Sequence, residues 1–293
     1  MSRLRTAALI CLILFAATSY FLVAAAIFAP EALAANKTAS ANQPKPPAPI
    51  AQPMGPKLIA LTFDDGPRPY VLYGKAAGDK GLLDLLDKDG VKATFFYMGW
   101  RLTPKTWGER HEVNIGKTCL DAAADVYKRG HELENHTYSH LDAKHAQKQY
   151  GEDWYVQDVE KGATAVQQVT GSKPHYVRPP EWVMWPELAG KIQSRGYKIM
   201  TIAASDPAIM RDVNSADYLC AGTAKQCPKP SLAESVMHQI DSREKKGLYD
   251  HVLVFHELTS TIPQLETLIP ELQKRGYKFV TLQQYMKSVG SNQ

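Results

Sequence analysis

Two aspartates stand side by side in Thr62-Phe63-Asp64-Asp65-Gly66-Pro67, where an apolar run meets a turn. Alone, the string reads more readily as a solvated Asp-Gly turn, because Asp tolerates turn geometry and Gly supplies a positive φ. Further along, His136-Thr-Tyr-Ser-His140 sets two histidines at i and i+4, on one face of a helical turn and close enough to share one metal ion. A pair of surface or capping histidines would give the same string. Two imidazoles with one carboxylate form the ligand set of a hydrolytic zinc site, with positions left open for water and substrate. Ionisable groups recur in Val177-Arg178-Pro179-Pro180-Glu181-Trp182, in Ala204-Ser205-Asp206-Pro207 and in Leu253-Val254-Phe255-His256-Glu257.

Each of these strings follows a short apolar, β-branched or aromatic run. Seven strands are expected, at 58–63, 92–98, 131–135, 175–178, 197–203, 251–256 and 277–282. Helical patterns fill the intervals at 82–90, 117–129, 153–170, 186–196, 232–246 and 263–275, several ending at a Gly such as Gly90, Gly130, Gly196 or Gly276. Strand-helix alternation predicts an α/β fold with a largely parallel sheet, whose reactive groups sit at the C-terminal strand ends. Five strand ends carry ionisable or metal-binding residues in chain order, an alignment that random turns would not produce. Loops at about 99–116 and 207–231 are long enough to be functional or mobile.

The chain has 293 residues, 34 basic and 30 acidic, with a formal net charge of +4. That balance excludes the clustered basic excess of a nucleic-acid binder. Arg3 and Arg5 precede an uncharged run from Ala7 to Ala29, and Ala32 and Ala34 supply a small-x-small site. Residues 1–34 therefore read as an export signal or an uncleaved N-terminal membrane anchor, and residues 35–57 as an Ala/Pro-rich linker. Either way the remainder is exported, to the periplasm, the medium or the outer side of a membrane, and any membrane contact runs through that anchor. Of the three cysteines beyond the apolar run, Cys220 and Cys227 are expected to form a local disulfide, leaving Cys119 unpaired.

From about Lys57 to Lys287 the chain resembles the polysaccharide deacetylase family, the NodB-homology domain of carbohydrate esterase family four. The resemblance rests on Thr62–Pro67, His136–His140, the Arg-x-Pro of Arg178–Pro180 and Leu253–Glu257, in that order. It implies a distorted (β/α) barrel of seven or eight parallel strands over residues 58–290 and hydrolysis of acetyl groups on glycans. It implies further that Asp65, His136 and His140 bind a divalent metal, most often Zn2+, while Asp64 is the general base held by Arg178. His256 would be the general acid, oriented by Asp206. An acetylated glycan is the implied partner, and no nucleic acid.

Three departures stand out. Glu181 and Trp182 replace the family's Tyr-Gly, Val254 replaces a Leu, and the usual Asp-x-x-Asp-Trp shrinks to Asp206 followed by Ile209 and Met210. Glu257 is expected to be a solvated charge. His111, His131, His145, His175, His238 and His251 are expected at the surface or in the core. Trp100, Trp107 and Trp154 fit packing at least as well as a sugar groove.

Overall fold

The computed structural model describes residues 57–75, 79–106, 108–110, 116–200, 212–220 and 226–290. The segments expected as signal and linker lie outside them, except for Lys57.

Eight strands form one sheet: β1 (Leu58–Gly66), β2 (Thr94–Tyr97), β3 (Glu132–Asn135), β4 (Tyr176–Val177), β5 (Lys198–Ile199), β6 (Asp212–Asn214), β7 (Asp250–His256) and β8 (Lys278–Val280). They run in the order β5-β4-β3-β2-β1-β7-β6, with β8 also on β1, and every ladder is parallel. β1 is the spine. It pairs with β7 from Leu58 to Asp64, with β8 over Leu58–Ala60, and with β2 from Thr62 onward. The helices are α1 (Pro69–Leu72), α2 (Leu82–Lys88), α3 (Gly99–Leu102), α4 (Cys119–Lys128), α5 (Ala143–Tyr150), α6 (Glu152–Thr170), α7 (Pro186–Gln193), α8 (Leu232–Glu244), α9 (Ile262–Lys274) and α10 (Leu282–Gly290). The architecture is the expected distorted (β/α) barrel.

Strand alternation divides the residues between two faces. Ile59, Leu61 and Phe63 of β1 join Phe95, Leu253 and Phe255 in the outer core beneath the helices. Leu58 and Ala60 turn inward with Phe96, Tyr176 and Val252, and α10 closes this inner floor with Leu282, Tyr285, Met286 and Val289. Continuing the inward parity along each strand reaches Thr62 and Asp64 on β1 and Val254 and His256 on β7. The residues just past β3 and β4 with the same parity are His136 and Arg178. The inner face thus passes from an apolar floor to a polar mouth.

The strand expected at 175–178 shortens to β4, and the one at 197–203 is seen only as β5, with 201–203 outside the described residues. β6 was not expected, because three residues with a single inward-outward apolar position, Val213, give too short an alternation to recognise. The last strand ends at Val280 and gives way to α10, whose apolar residues 282, 285, 286 and 289 follow helical spacing. The expected disulfide is present between Cys220 and Cys227, and Cys119 is buried and free.

Candidate active site

Adjacent strand residues ordinarily point to opposite faces, so Asp64 and Asp65 need a break in the strand to serve one site. The structure supplies it. Asp64 pairs with Phe96 and Gly66 with Tyr97, so Asp65 is an extra, unpaired residue in β1, bulged out with φ 70°. Gly66 follows it under close constraint, because a Cβ there would lie 2.3 Å from the Glu257 Oε1.

Asp64 is buried, and its Oδ1 accepts from the Arg178 Nη1 at 2.7 Å. The same nitrogen donates to the Thr62 hydroxyl at 2.9 Å, and that hydroxyl donates to the Leu253 carbonyl at 2.9 Å. Arg178 is fully buried, with its guanidinium 4.0 Å from the Phe96 ring centroid and 5.2 Å from that of Trp182. Trp182 and Glu181, the two departures after the Arg-x-Pro string, both adopt left-handed backbone, φ 60° and 54°. The turn folds the indole back over the arginine.

His136 and His140 meet Asp65 as expected, although not through a helical turn. The His136–His140 segment is a loop in which Thr137 and His140 themselves have positive φ, 63° and 64°. Asp158 of α6 holds this loop, accepting from the Tyr138 and Ser139 amides at 3.2 and 3.1 Å and from the Ser139 hydroxyl at 3.0 Å. Gly162, one turn further along α6, lets the loop lie against the helix, since a Cβ there would be 2.6 Å from the Thr137 carbonyl carbon. Asp158 was not among the expected site residues; a buried acid in the middle of an amphipathic helix was its only signal.

Asp65 Oδ1 lies 3.3 Å from the His136 Nε2 and 2.9 Å from the His140 Nε2, and all three ligand atoms fall within 4.8 Å of one another. The His136 Nδ1 lies 2.7 Å from the Arg178 carbonyl, which can only accept, so Nδ1 carries the proton and Nε2 presents a lone pair to the carboxylate. Lone pair facing anion is unfavourable without a cation between them, and Asp65 Oδ1 is buried with no hydrogen-bond partner of good geometry. The donor set therefore fits a divalent ion. Burial would raise the Asp65 carboxyl, but positive charge on the two imidazoles, or a cation in its place, outweighs burial and holds that carboxyl well below the usual range.

His256 ends β7 in register with Asp64. Its Nδ1 lies 2.7 Å from Asp217 Oδ1, while Asp217 Oδ2 accepts from the His256 amide at 2.8 Å and the Thr261 hydroxyl at 2.7 Å. Burial alone would lower the imidazole, but the hydrogen bond to Asp217, with the charges of Asp64, Asp217 and Asp65, pushes it up to about 9. Asp206, expected in the orienting role, lies outside the described residues. The chain does carry a signal for Asp217: Asn214-Ser-Ala-Asp217-Tyr218 meets the Asp-x-x-Asp-aromatic pattern better, with Asn for the first Asp and Tyr for Trp. Tyr218 is half exposed, its ring edge-on to His256 at 5.6 Å.

Glu257 is not a solvated charge. It is fully buried, accepts from the Arg68 amide at 2.6 Å, and burial pushes its carboxyl up to about 7. His131 and His251 are core residues, as expected, and His111 and Trp107 lie outside the described residues.

A family model described as polysaccharide deacetylase matches residues 51–200, just over half of the chain. A peptidoglycan-N-acetylglucosamine deacetylase of Bacillus cereus is 26% identical over 239 residues, covering 80% of this chain and 91% of that protein. A chitin deacetylase of Pestalotiopsis sp. is 36% identical over 145 residues, 50% of this chain and 41% of that protein. Among solved structures, a family 4 acetyl xylan esterase from Clostridium thermocellum in complex with a cobalt ion superposes with a TM-score of 0.57 at 25% identity, covering 80% of this chain and 92% of the other.

Proposed function

The chain belongs to the polysaccharide deacetylase family, and from that premise we propose that it is an exported, metal-dependent hydrolase that removes acetyl groups from N-acetylated glycans. The observation that carries this reading is the convergence at one barrel mouth of a three-ligand cation seat, a carboxylate held by a buried arginine, and an imidazole held by a second carboxylate. Export is supported by the Cys220–Cys227 disulfide, which belongs to an oxidising compartment.

Asp65, His136 and His140 would hold the ion. A divalent ion bound there lowers the pKa of water and polarises the acetyl carbonyl. Asp64 takes the proton of the attacking water: Arg178 engages its Oδ1 and keeps the carboxylate oriented, leaving Oδ2 to accept. His256, with Nδ1 committed to Asp217, presents Nε2 to the departing amine and donates the proton that makes it a leaving group. The two adjacent aspartates thus have separate tasks. Like charges can coexist there because one of them is a metal ligand.

The relatives point to peptidoglycan or chitin-type polymers, and the esterase neighbour adds O-acetylated xylan as a second substrate class. Acetate release should be measured on peptidoglycan, chitooligosaccharides, poly-N-acetylglucosamine and acetylxylan. Asp64→Asn should cut turnover by about 10² to 10⁴-fold, the usual worth of a general base, with metal content unchanged. Metal-loaded wild type that frees acetate from none of the four would refute the reading.

A further inference from the structure

Among the ionisable groups on the inner face that this mechanism leaves idle, Asp212 is one whose carboxylate has no hydrogen-bond partner. Asp212 is the first residue of β6. Its neighbour Val213 packs into the outer core, so Asp212 turns inward, and the ladders set it level with Val252 and, beyond that, Ala60. Both carboxylate oxygens are buried without a hydrogen-bond partner. Burial raises this carboxyl, and the cation that opposes the rise most is Arg178, ahead of Arg243. Arg243 engages the Asp212 main-chain carbonyl.

Arg178 shows the complementary deficit. A guanidinium offers five N–H donors in a rigid fork. Its Nη1 serves Asp64 and Thr62, whereas Nε and Nη2 are buried with no partner. Held from one side only, the fork could pivot about Nη1, and the carboxylate of Asp64 would pivot with it. A buried charge persists only when it is compensated on its open side as well.

We propose that Asp212 is a positioning residue of the deacetylation reaction, the far member of an Asp64–Arg178–Asp212 triad: beyond hydrogen-bond distance of the guanidinium in this structure, its buried carboxylate oxygens compensate the arginine's charge through the barrel interior and so help fix the orientation of Asp64. The proposal rests on the deacetylase reading for its kinetic consequence, but the pairing itself is independent of activity. Asp212 touches no substrate; it acts through Arg178. Binding of the ion requires no carboxylate at 212, since Asp65 lies on β1 and His136 and His140 on the loop after β3.

The test is a double-variant cycle of Asp212→Asn and Arg178→Met, read by kcat, KM, metal per chain and Tm. Asp212→Asn should lower kcat about 10- to 100-fold, as loss of an outer hydrogen-bonding partner does, with KM and metal content unchanged. Its Tm should fall by about 5–10 °C, because Arg178 loses half its compensation. In the Arg178→Met background the same substitution should cost nothing further in kcat or Tm. Wild-type kcat in Asp212→Asn, losses that simply add to those of Arg178→Met, or coupling to Arg243→Met in its place would overturn the triad. If wild type proves inactive on every glycan, the deacetylase reading fails while the Tm cycle still decides the pairing. Should Asp212→Asn not fold, the double variant decides: it folds if the two charges compensate each other, and fails to fold if Asp212 serves another partner.

Discussion

In the proposed reaction His256 is the residue whose charge state most directly limits turnover. With Asp217 on its Nδ1 and two further carboxylates near, it stays protonated up to about pH 9. Because this folded value lies above the ordinary 6.5, the pair stabilises the protein fully below about pH 6.5, and the contribution fades as pH rises through about 9. The alkaline limb of the kcat/KM profile should therefore fall near pH 9. Asp217→Asn removes the strongest raising influence and should move that limb toward neutrality, with kcat down about 10- to 100-fold; a limb that stays at pH 9 would show that His256 is not the acid. At the other end of the site, His136→Ala should remove most of the bound metal, measured by elemental analysis, because only two of three protein ligands remain. Types and strand-end positions singled out Asp64, Asp65, His136, His140, Arg178 and His256 in the sequence, and the family resemblance supplied their expected roles. Asp217 and Asp158 were not identified, because each works through a hydrogen bond to a residue 39 or about 20 positions away, a separation no local pattern encodes.

Among the elements, two short irregular segments do work that strands and helices cannot. The loop bearing His136 and His140 is shaped by left-handed residues and pinned by Asp158. Asp158→Ala would leave the Ser139 amide and hydroxyl without their acceptor, so metal affinity should fall about 10- to 100-fold while the β-sheet stays intact, as titration of the apo protein and circular dichroism would show. The second segment is the 3-10 turn Asp217–Cys220, which places Asp217 against His256 and ends at the disulfide. The bond joins residues 7 apart, and in the chain-entropy view closing so short a loop stabilises by about 2.5 kcal/mol. Cys220→Ser/Cys227→Ser should therefore lower stability by about that amount and lower kcat without changing bound metal. A variant with wild-type kcat would show that the turn keeps Asp217 in place unaided. Strand-helix alternation predicted the long elements well, since each buries a full apolar face. It failed at β6 and at the histidine loop, where three to five residues take their shape from contacts made elsewhere.

The whole domain is organised by an inner face that is greasy at one end and charged at the other, and β1 runs its full length. Leu58, Ile59 and Leu61 are almost completely buried, and Lys57 pairs with Glu244 at 3.0 Å. Because residues 1–56 read in the sequence as signal and Ala/Pro-rich linker, a chain that begins at Lys57 should melt within about 2 °C of the full-length protein, a difference of under about 1 kcal/mol. One that begins at Thr62 should not fold: three such aliphatic residues at about 2–5 kcal/mol each match the entire stability of a domain, about 5–15 kcal/mol. Thermal melts of the two truncations decide it. The bulge in β1 reaches further than the chemistry it serves. It hangs the proton acceptor and one of the three cation ligands on adjacent residues of a strand paired with three others, so the spacing between those two carboxylates is inherited from the spine of the sheet. Substitution of the exposed Glu181 or Tyr218, which lie off that spine, should consequently leave bound metal unchanged while acetate release across the glycan panel shifts.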